Sequence, residues 1–144
     1  MKINIKKLSP LATIPTYAHP GDSGADLYSI ETITLLPRSI NLIRTGLSIE
    51  IPVNYEGQIR SRSGMAAKWG VAVINSPGTV DCGFVGEVKV ALINQSDDCY
   101  RVNAGDRIAQ LVIAPTVQGE FLEVTEQLAA SERGSNGFGS TGTR

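Results

Sequence analysis

The sequence contains one histidine, two cysteines and no long apolar run, and each scarcity excludes a class of function. A single histidine, His19, excludes histidine-rich zinc sites and argues against a Ser-His-Asp triad, so acid–base chemistry falls to carboxylates. Cys82 and Cys99 form no CxxC pair and no metal-ligand spacing. We interpret them as reduced thiols of a cytoplasmic protein, with a single disulfide as the alternative.

No apolar run approaches the roughly 18 residues of a membrane span, and the N-terminal stretch MKINIKKLSP lacks the apolar core of a signal peptide. Charge of either sign is also not in excess, because 13 Lys and Arg face 14 Asp and Glu, for a net charge of −1. We therefore expect neither a membrane nor a nucleic acid as a partner. A local cluster of arginines can still bind a small anion.

The length of 144 residues is that of one domain, and short β-type segments separated by Gly, Pro and Asn turns run through it. Residues 86–94, GEVKVALIN, alternate apolar and other side chains with the period of a half-buried strand. Many short strands at this spacing predict an all-β jelly roll or barrel. The predicted strands cover residues 3–8, 32–37, 40–51, 56–60, 70–75, 86–94, 106–115 and 121–128, and a further one follows the turn HPGDSG.

One short helix is predicted at residues 63–69, SGMAAKW, with Ser63 as its N-cap and Gly70 as its stop signal. The composition changes only after Ser131. We therefore predict a single core domain over residues 1–131 and a glycine-rich, flexible C-terminal arm over residues 132–144. Such a segment buries too little apolar surface to fold alone.

Two basic stretches suit a phosphate, although each also has a plain structural interpretation. IRSRSGMAAKWG places Arg62 and Gly64 where a helix begins, so that a guanidinium and free amide groups are available to an anion. The alternative is an ordinary capped helix beside solvated arginines. NAGDRIAQLVIAP carries Arg107 and Gln110 within an apolar strand, either as phosphate ligands or as its solvent face.

Two acidic stretches also have both a functional and a plain structural interpretation. NSPGTVDCGFVGEVKVALIN predicts a β-hairpin with Gly83 or Gly86 in its turn and Asp81 just before it. An acid beside a turn most often caps the turn or is simply solvated. HPGDSGADLYS carries Asp26, which either attracts Mg²⁺ or makes a side-chain turn.

The order and combination of these stretches resemble the trimeric deoxyuridine triphosphatase (dUTPase) family across essentially the whole chain. All five motifs of that family are present and in order. They are GDSGADLYS (Gly21–Ser29), RSGMAAKWG (Arg62–Gly70), NSPGTVDCGFVGEV (Asn75–Val88), GDRIAQL (Gly105–Leu111) and RGSNGFGSTG (Arg133–Gly142).

The resemblance implies a distorted β jelly roll that assembles as a homotrimer, with three active sites at subunit interfaces. The implied reaction is the Mg²⁺-assisted hydrolysis of dUTP to dUMP and pyrophosphate, which keeps uracil out of DNA and supplies dUMP for thymidylate synthesis. Asp26 would support the water shell of the metal rather than bind the metal directly, since the triphosphate supplies the inner ligands.

The resemblance also implies roles for individual residues. Asp81 would be the catalytic carboxylate that activates water for attack on the α-phosphorus, and Phe84 would lie under the deoxyribose, where a 2′-hydroxyl would clash. The backbone between Thr79 and Lys89, together with Asn75, would contact the uracil edges. The residues implied to bind the nucleoside are Asn75, Gly78, Thr79, Val80, Phe84 and Lys89.

The phosphates would be held by Arg62, Ser63, Gly64 and Gln110. In the arm, Arg133 would reach the γ-phosphate and Phe138 would stack over the uracil. Amides of the glycine-rich segment, at Gly139 and Ser140, would bind phosphate. The resemblance therefore makes the arm a lid that closes a site on a neighbouring subunit.

The chain departs from the family pattern at several positions. The family usually has tyrosine where this chain has Phe84, and commonly arginine or glutamine where it has Val85. Ala25 stands where an aromatic residue is frequent, and Asn136 where glycine is common. None of these differences removes a catalytic group, so the resemblance still implies an active enzyme.

Two other functions remain as alternatives. A dCTP deaminase shares the fold, but it would need a glutamate-based site, for which the sequence offers no matching segment. A trimeric β module with a relic site, acting only as a partner-binding protein, is the second alternative. The joint presence of Asp81, Arg133 and Phe138 argues against it.

Overall fold

The computed structural model describes residues 1–137 and residue 140. This part of the chain contains ten β-strands and one α-helix. In chain order they are β1 (Asn4–Lys7), β2 (Ala25–Tyr28), β3 (Ile33–Leu35), β4 (Ile40–Glu50), β5 (Tyr55–Arg60), α1 (Ser63–Trp69), β6 (Val71–Val73), β7 (Gly78–Val80), β8 (Val88–Asn94), β9 (Tyr100–Val102) and β10 (Arg107–Pro115).

The strands form two four-stranded sheets around a common core. One sheet has the order β1-β4-β8-β6 and the other the order β2-β10-β5-β7, while β3 and β9 form a separate two-stranded ribbon. Neighbouring strands in each sheet are antiparallel. This arrangement confirms the predicted all-β jelly roll with one short helix.

Every second side chain along these strands points into this core. In β8, Val88, Val90 and Leu92 are buried and Lys89 is exposed, as the sequence pattern predicts. In β4 the alternation is broken by a register shift between Arg44 and Leu47. At that bulge the Thr45 hydroxyl donates a hydrogen bond to the Val88 carbonyl, which ties the bulge to the start of β8.

The helix ends as predicted but does not begin as predicted. Gly70 closes it in the left-handed conformation, with φ of 64°, and donates its N–H to the Ala66 carbonyl. The prediction that Ser63 is the N-cap is wrong, because Ser63 is already the first helical residue and Arg62 occupies the cap position without a side-chain cap bond. An arginine side chain has no acceptor atom and cannot cap an amide.

The predicted hairpin of residues 75–94 is also wrong. The strand β7 pairs with β5 in one sheet, whereas β8 pairs with β4 and β6 in the other. The connection between β7 and β8 therefore crosses from one sheet to the other. Within it, the Phe84 N–H donates to the Asp81 carbonyl at 3.2 Å and Gly83 has φ of 88°, which is the third position of a type II turn.

The segment of residues 121–128 is not the strand that its pattern predicts, and β9 was not predicted. After Pro115 the described residues contain no strand or helix, and Phe121 and Leu122 are exposed. Regular structure thus ends well before Ser131, the predicted end of the core domain. In the described chain no helix is long and apolar enough to cross a membrane, and Cys82 and Cys99 are both free and exposed.

The turn from Asp81 to Phe84 yields a stability prediction. A Cβ at Gly83 would meet nothing within 4 Å, so the cost of Gly83→Ala comes from the positive φ alone. We expect a loss of about 1–2 kcal/mol in the free energy of unfolding, measured by denaturant titration at one fixed protein concentration.

Gly119→Ala is the matched control, because a Cβ there is equally free of contacts and Gly119 has no positive φ. This control should be neutral or slightly stabilising. Equal stability of the two variants would show that the positive φ does not constrain the turn.

Candidate active site

A cleft of about 350 Å³ lies where the edge strand β7 faces the other sheet. Six residues predicted to bind the nucleoside line it, so the structure brings that group together. Its size is within the usual range for a small-molecule site. The lining residues are Leu42, Ile59, Asn75, Gly78, Thr79, Val80, Phe84, Glu87, Val88 and Lys89.

The strand β7 is the last strand of its sheet, so its outer backbone edge has no strand partner in the described structure. Gly78 and Val80 are buried, and Thr79 between them is exposed. A Cβ at Gly78 would lie 3.1 Å from the amide nitrogen of Asn75, so the Asn75 side chain packs directly on the strand. Free backbone donors and acceptors beside an amide side chain suit the edge of a flat, polar ring.

One β-turn holds Asp81 and Phe84 at its two ends. Asp81 is exposed. Phe84 lines the cleft, and 45% of its surface is accessible to solvent. The turn therefore brings the backbones of an acidic and an aromatic residue close together. Asp81 itself lines a neighbouring cavity of about 730 Å³, together with Tyr55, Glu56 and Thr116 among others.

The far end of the β7–β8 connection is anchored to β4. The Ser48 hydroxyl donates to the Val85 carbonyl at 2.8 Å. The Glu87 carboxylate pairs with the Arg44 Nε at 3.1 Å and accepts the Gly46 N–H at 2.9 Å. These contacts leave the turn from Asp81 to Phe84 little freedom to move away from the cleft.

A second group of predicted residues surrounds Asp26 on β2. The Asp26 side chain is buried and carries ion pairs to two arginines, Arg62 Nε at 3.2 Å and Arg107 Nη1 at 3.2 Å. Arg62 Nη1 also donates to the Arg107 carbonyl at 3.3 Å. One carboxylate thus orients two guanidinium groups, whose remaining donors are available to an anion.

Only one of these two ion pairs includes a hydrogen bond. Arg107 donates to Asp26 Oδ2, whereas Oδ1 is buried and has no hydrogen-bond donor within the described structure. A buried carboxylate oxygen without a donor is a place for an ordered water. No group of three or more His, Cys, Asp or Glu side chains in the described residues is arranged to hold a metal ion by itself.

Gln110 and the start of α1 complete this second group. Gln110 lies opposite Asp26 and Arg60 in the sheet register and is half-buried. A Cβ at Gly24 would come within 3.0 Å of the Gln110 side chain, so that side chain lies flat against the backbone. Ser63 and Gly64 are exposed at the first turn of the helix, where amides have no intrahelical acceptor.

Tyr100 is a site neighbour that the sequence did not indicate. Burial raises the pKa of its phenol, the Asp106 carboxylate raises it further, and the charge of Arg62 opposes both. The Tyr100 hydroxyl therefore stays protonated at neutral pH. Its ring lies 6.0 Å from that of Trp69 at the end of α1, which links the helix to the ribbon strand β9. Only a tertiary contact could have revealed this neighbour.

The C-terminal arm is described only in part. Residues 132–135 form turns, and Arg133 is exposed, with its Nε donating to the Asn136 carbonyl at 3.1 Å. Ser140 is exposed. The predicted ligands Phe138 and Gly139 lie outside the described residues.

The two groups of residues do not meet within one chain. In their sheet, β7 and β10 are separated by β5, and strands are spaced about 4.8 Å apart. Gln110 pairs with Arg60 at the end of β5, and on the other side of β5 Gly78 pairs with Ile59 and Val80 with Gly57. Accordingly, none of Asp26, Arg62, Ser63, Gly64 or Gln110 lines the nucleoside cleft.

Comparison with known proteins matches both groups to one family. A sequence model of the dUTPase family matches residues 11–142. The chain is 51% identical to the deoxyuridine 5'-triphosphate nucleotidohydrolase of Nautilia profundicola over 142 residues, which cover 99% of each protein. It is 50% identical to the protein of the same name from Helicobacter pylori strain P12, over 99% of this chain and 97% of that protein.

Solved structures agree with the sequence comparisons. The dUTPase of Staphylococcus bacteriophage 80alpha, in a mutant form with dUpNHpp, superposes with a TM-score of 0.91 at 32% identity over 98% of each chain. A mutant dUTPase of phage phi11 of S. aureus, described with a structural Mg(II) ion, gives a TM-score of 0.83 at 27% identity over 90% of this chain and 100% of that one. This chain therefore belongs to the dUTPase family.

Proposed function

We propose that the chain hydrolyses dUTP to dUMP and pyrophosphate, with Asp81 as the catalytic carboxylate, and that it thereby keeps uracil out of DNA and supplies dUMP for thymidylate synthesis. The shared turn of Asp81 and Phe84 at the nucleoside cleft is the observation that carries the assignment of the site. It supports a proposed arrangement in which Asp81 accepts a proton and Phe84 supports the sugar ring.

Asp81 acts as a general base. Its carboxylate takes a proton from a water molecule, the water oxygen bonds to the α-phosphorus, and the bond from that phosphorus to the bridging oxygen breaks. Pyrophosphate leaves with the electron pair. Displacement at phosphorus needs positioning and charge neutralisation more than a covalent nucleophile, so a site without histidine is sufficient.

Recognition of the nucleoside falls to the cleft. The outer edge of β7, at Gly78, Thr79 and Val80, offers backbone groups to the uracil oxygens and N3–H, with the Asn75 amide and Lys89 beside them. A narrow fit at this edge excludes the methyl group of thymine. The Phe84 ring lies under the deoxyribose and excludes a 2′-hydroxyl by volume.

The triphosphate binds to the second group. Asp26 orients Arg62 towards the phosphates, and Ser63, Gly64 and Gln110 add neutral donors. A Mg²⁺ ion bound with the triphosphate would supply positive charge to the phosphate oxygens. The residues fit an ion held by substrate oxygens and water, because Asp26 Oδ1 can accept a hydrogen bond from a water of its shell.

The complete site requires more than one copy of the chain, and we assign the functional unit as a homotrimer. No residue of the arginine group lines the nucleoside cleft of the same chain, which supports a site in which a neighbouring copy supplies one of the two groups to each triphosphate. The described residues 116–130 also leave large apolar side chains exposed, which suits burial against another copy.

The C-terminal arm from residue 132 closes such a site as a lid. Arg133 binds the γ-phosphate, Phe138 stacks on the uracil, and the amides around Gly139 and Ser140 contact the phosphates. The free cysteines, Cys82 and Cys99, agree with a cytoplasmic enzyme. Release of pyrophosphate from dUTP, against release of ammonia from dCTP, tests the reaction itself against the deaminase alternative, and dTTP and UTP test the selectivity.

The first prediction about the reaction concerns Asp81. Asp81→Asn keeps the shape of the side chain but removes the base, so kcat for dUTP should fall by about 10²–10⁴-fold. Binding of a non-hydrolysable dUTP analogue, measured by calorimetry, should change little. Asp98→Asn, at another exposed aspartate outside both groups, is the control and should retain parental kcat. A kcat within a few-fold of the parent for Asp81→Asn would show that another group is the base.

The second prediction concerns Phe84. The volume of the ring is enough to exclude a 2′-hydroxyl, and the phenolic oxygen of a tyrosine is not needed. UTP should therefore be a poor substrate of the parent protein. Phe84→Tyr should leave the ratio of kcat/KM for dUTP and UTP nearly unchanged. Comparable kcat/KM for the two nucleotides in the parent would contradict the role of the ring.

The third prediction concerns the arm. Ordering about a dozen residues opposes closure by on the order of 10 kcal/mol or more. A stack from Phe138 offers only ~1–3 kcal/mol and a contact from Arg133 another ~1.5–3 kcal/mol. The side chains therefore need help from backbone amides that bind a full triphosphate with its Mg²⁺.

Deletion of residues 133–144 should leave a stable trimer whose kcat/KM for dUTP collapses, while its affinity for dUMP barely changes. Sizing chromatography, thermal melts and steady-state kinetics on the truncated chain give the three readouts. Near-parental activity of the truncated protein would mean that the arm is not a lid.

A further inference from the structure

Gly86 lies directly against the Phe84 ring. A Cβ built on Gly86 would stand 2.7 Å from Phe84 Cζ and 3.0 Å from Cε2. Among the glycines that the structure describes, no other would bring a Cβ closer than 3.0 Å to a neighbouring atom. Carbon atoms in contact are separated by about 3.5–4.0 Å, so a methyl group at residue 86 and the ring cannot both keep their places.

The backbone conformation at residue 86 does not require a glycine. Gly86 is outside the positive-φ region that favours glycine, in contrast to Gly83 in the same connection. The three nearest atoms to the built Cβ all belong to the Phe84 ring, and none belongs to the backbone. The closest contacts that the missing side chain avoids are therefore contacts with the ring.

The Phe84 ring can move if a side chain is introduced at residue 86. Phe84 is 45% exposed and lines the nucleoside cleft, so its ring is not locked by the core. Restoring an ordinary contact of 3.4 Å requires a shift of roughly 0.7 Å at Cζ. The shift moves the ring relative to the cleft and leaves the core side chains, such as the buried Val80 and Val88, in place.

We propose that Gly86 is a positioning residue for the sugar-selecting ring. By having no side chain, it lets the Phe84 ring lie close to the backbone, and this sets the height of the ring beneath the nucleotide. The proposal rests on the proposed role of Phe84, and it adds that the depth of the ring in the cleft is fixed from residue 86. A misplacement of about 1 Å in an active site can cost ~10²-fold in rate.

The test compares Gly86→Ala, Phe84→Ala and the double variant with the parent chain. Gly86→Ala should lower kcat/KM for dUTP by about 10- to 100-fold and reduce the preference for dUTP over UTP, with an unchanged thermal midpoint. In the Phe84→Ala background, Gly86→Ala should change kcat/KM by less than about 2-fold, because no ring remains to be displaced. Asp98→Asn, at the exposed aspartate outside both groups of site residues, should resemble the parent.

The double-mutant cycle separates the possible results. An equal loss from Gly86→Ala with and without the ring would overturn the proposal, since it would mean that residue 86 acts through backbone freedom. Parental kinetics of Gly86→Ala would overturn it too, even if Phe84→Ala loses selectivity and so supports the role of the ring. Parental kinetics of Phe84→Ala would instead overturn the role of the ring itself.

A loss of stability in Gly86→Ala is also informative. If the methyl group clashes with the ring, removing the ring in the double variant should restore the thermal midpoint of Phe84→Ala. A double variant that melts as low as Gly86→Ala would place the clash in the backbone and overturn the proposal.

Discussion

The candidate site depends on a single crossing of the chain between the two sheets. The strand β7 ends at the buried Val80 and β8 begins at the buried Val88, and these two residues belong to opposite sheets of one core. The connection of residues 81–87 must span the gap between the sheets, so its path is set at both ends by apolar packing. Because both ends are fixed by the core, the Phe84 ring has a defined position in the cleft and Asp81 a defined position in the neighbouring cavity.

The two halves of the site are held by different forces. The nucleoside half is built from a strand edge, a turn and an aromatic ring, and the ion pair of Glu87 with Arg44 anchors the connection that carries them. The phosphate half depends on Asp26, whose buried carboxylate faces Arg62 and Arg107. A buried charge is tolerated only with its partners, and removing Asp26 would leave two guanidinium groups without their counter-charge.

Local signals in the sequence predicted the elements better than their partners. The alternation in residues 86–94 and the stop at Gly70 are local features, and both are present in the structure. The predicted hairpin was wrong because the glycines after Asp81 indicate a turn but do not indicate whether the strands on its two sides pair with each other. The helix start was wrong by one residue for a similar reason, since the favoured cap residue, Ser63, stands one position after the true cap.

The family resemblance predicts which residues bind the nucleoside and the phosphates, but not the tertiary contacts that position those residues. The tie between Arg107 and Asp26 joins residues 81 positions apart, and no spacing rule predicts it. The contact between Gly86 and Phe84 is close in sequence but depends on which way the ring turns. Positions of this kind depend on tertiary packing, which a single sequence does not display.

The segment after β10 shows why a strand pattern is not sufficient for a strand. Residues 121–128 have the composition of a strand, yet a strand needs a partner edge for its backbone groups. Among the described residues of one chain this segment reaches no such edge, and Phe121 is 98% exposed. Burying a side chain of that kind is worth about 1.5–3 kcal/mol, and several lie on this segment. In the proposed trimer, a second copy of the chain would provide an edge for this segment and the other half of the site, so one association would satisfy the segment and complete the catalytic centre.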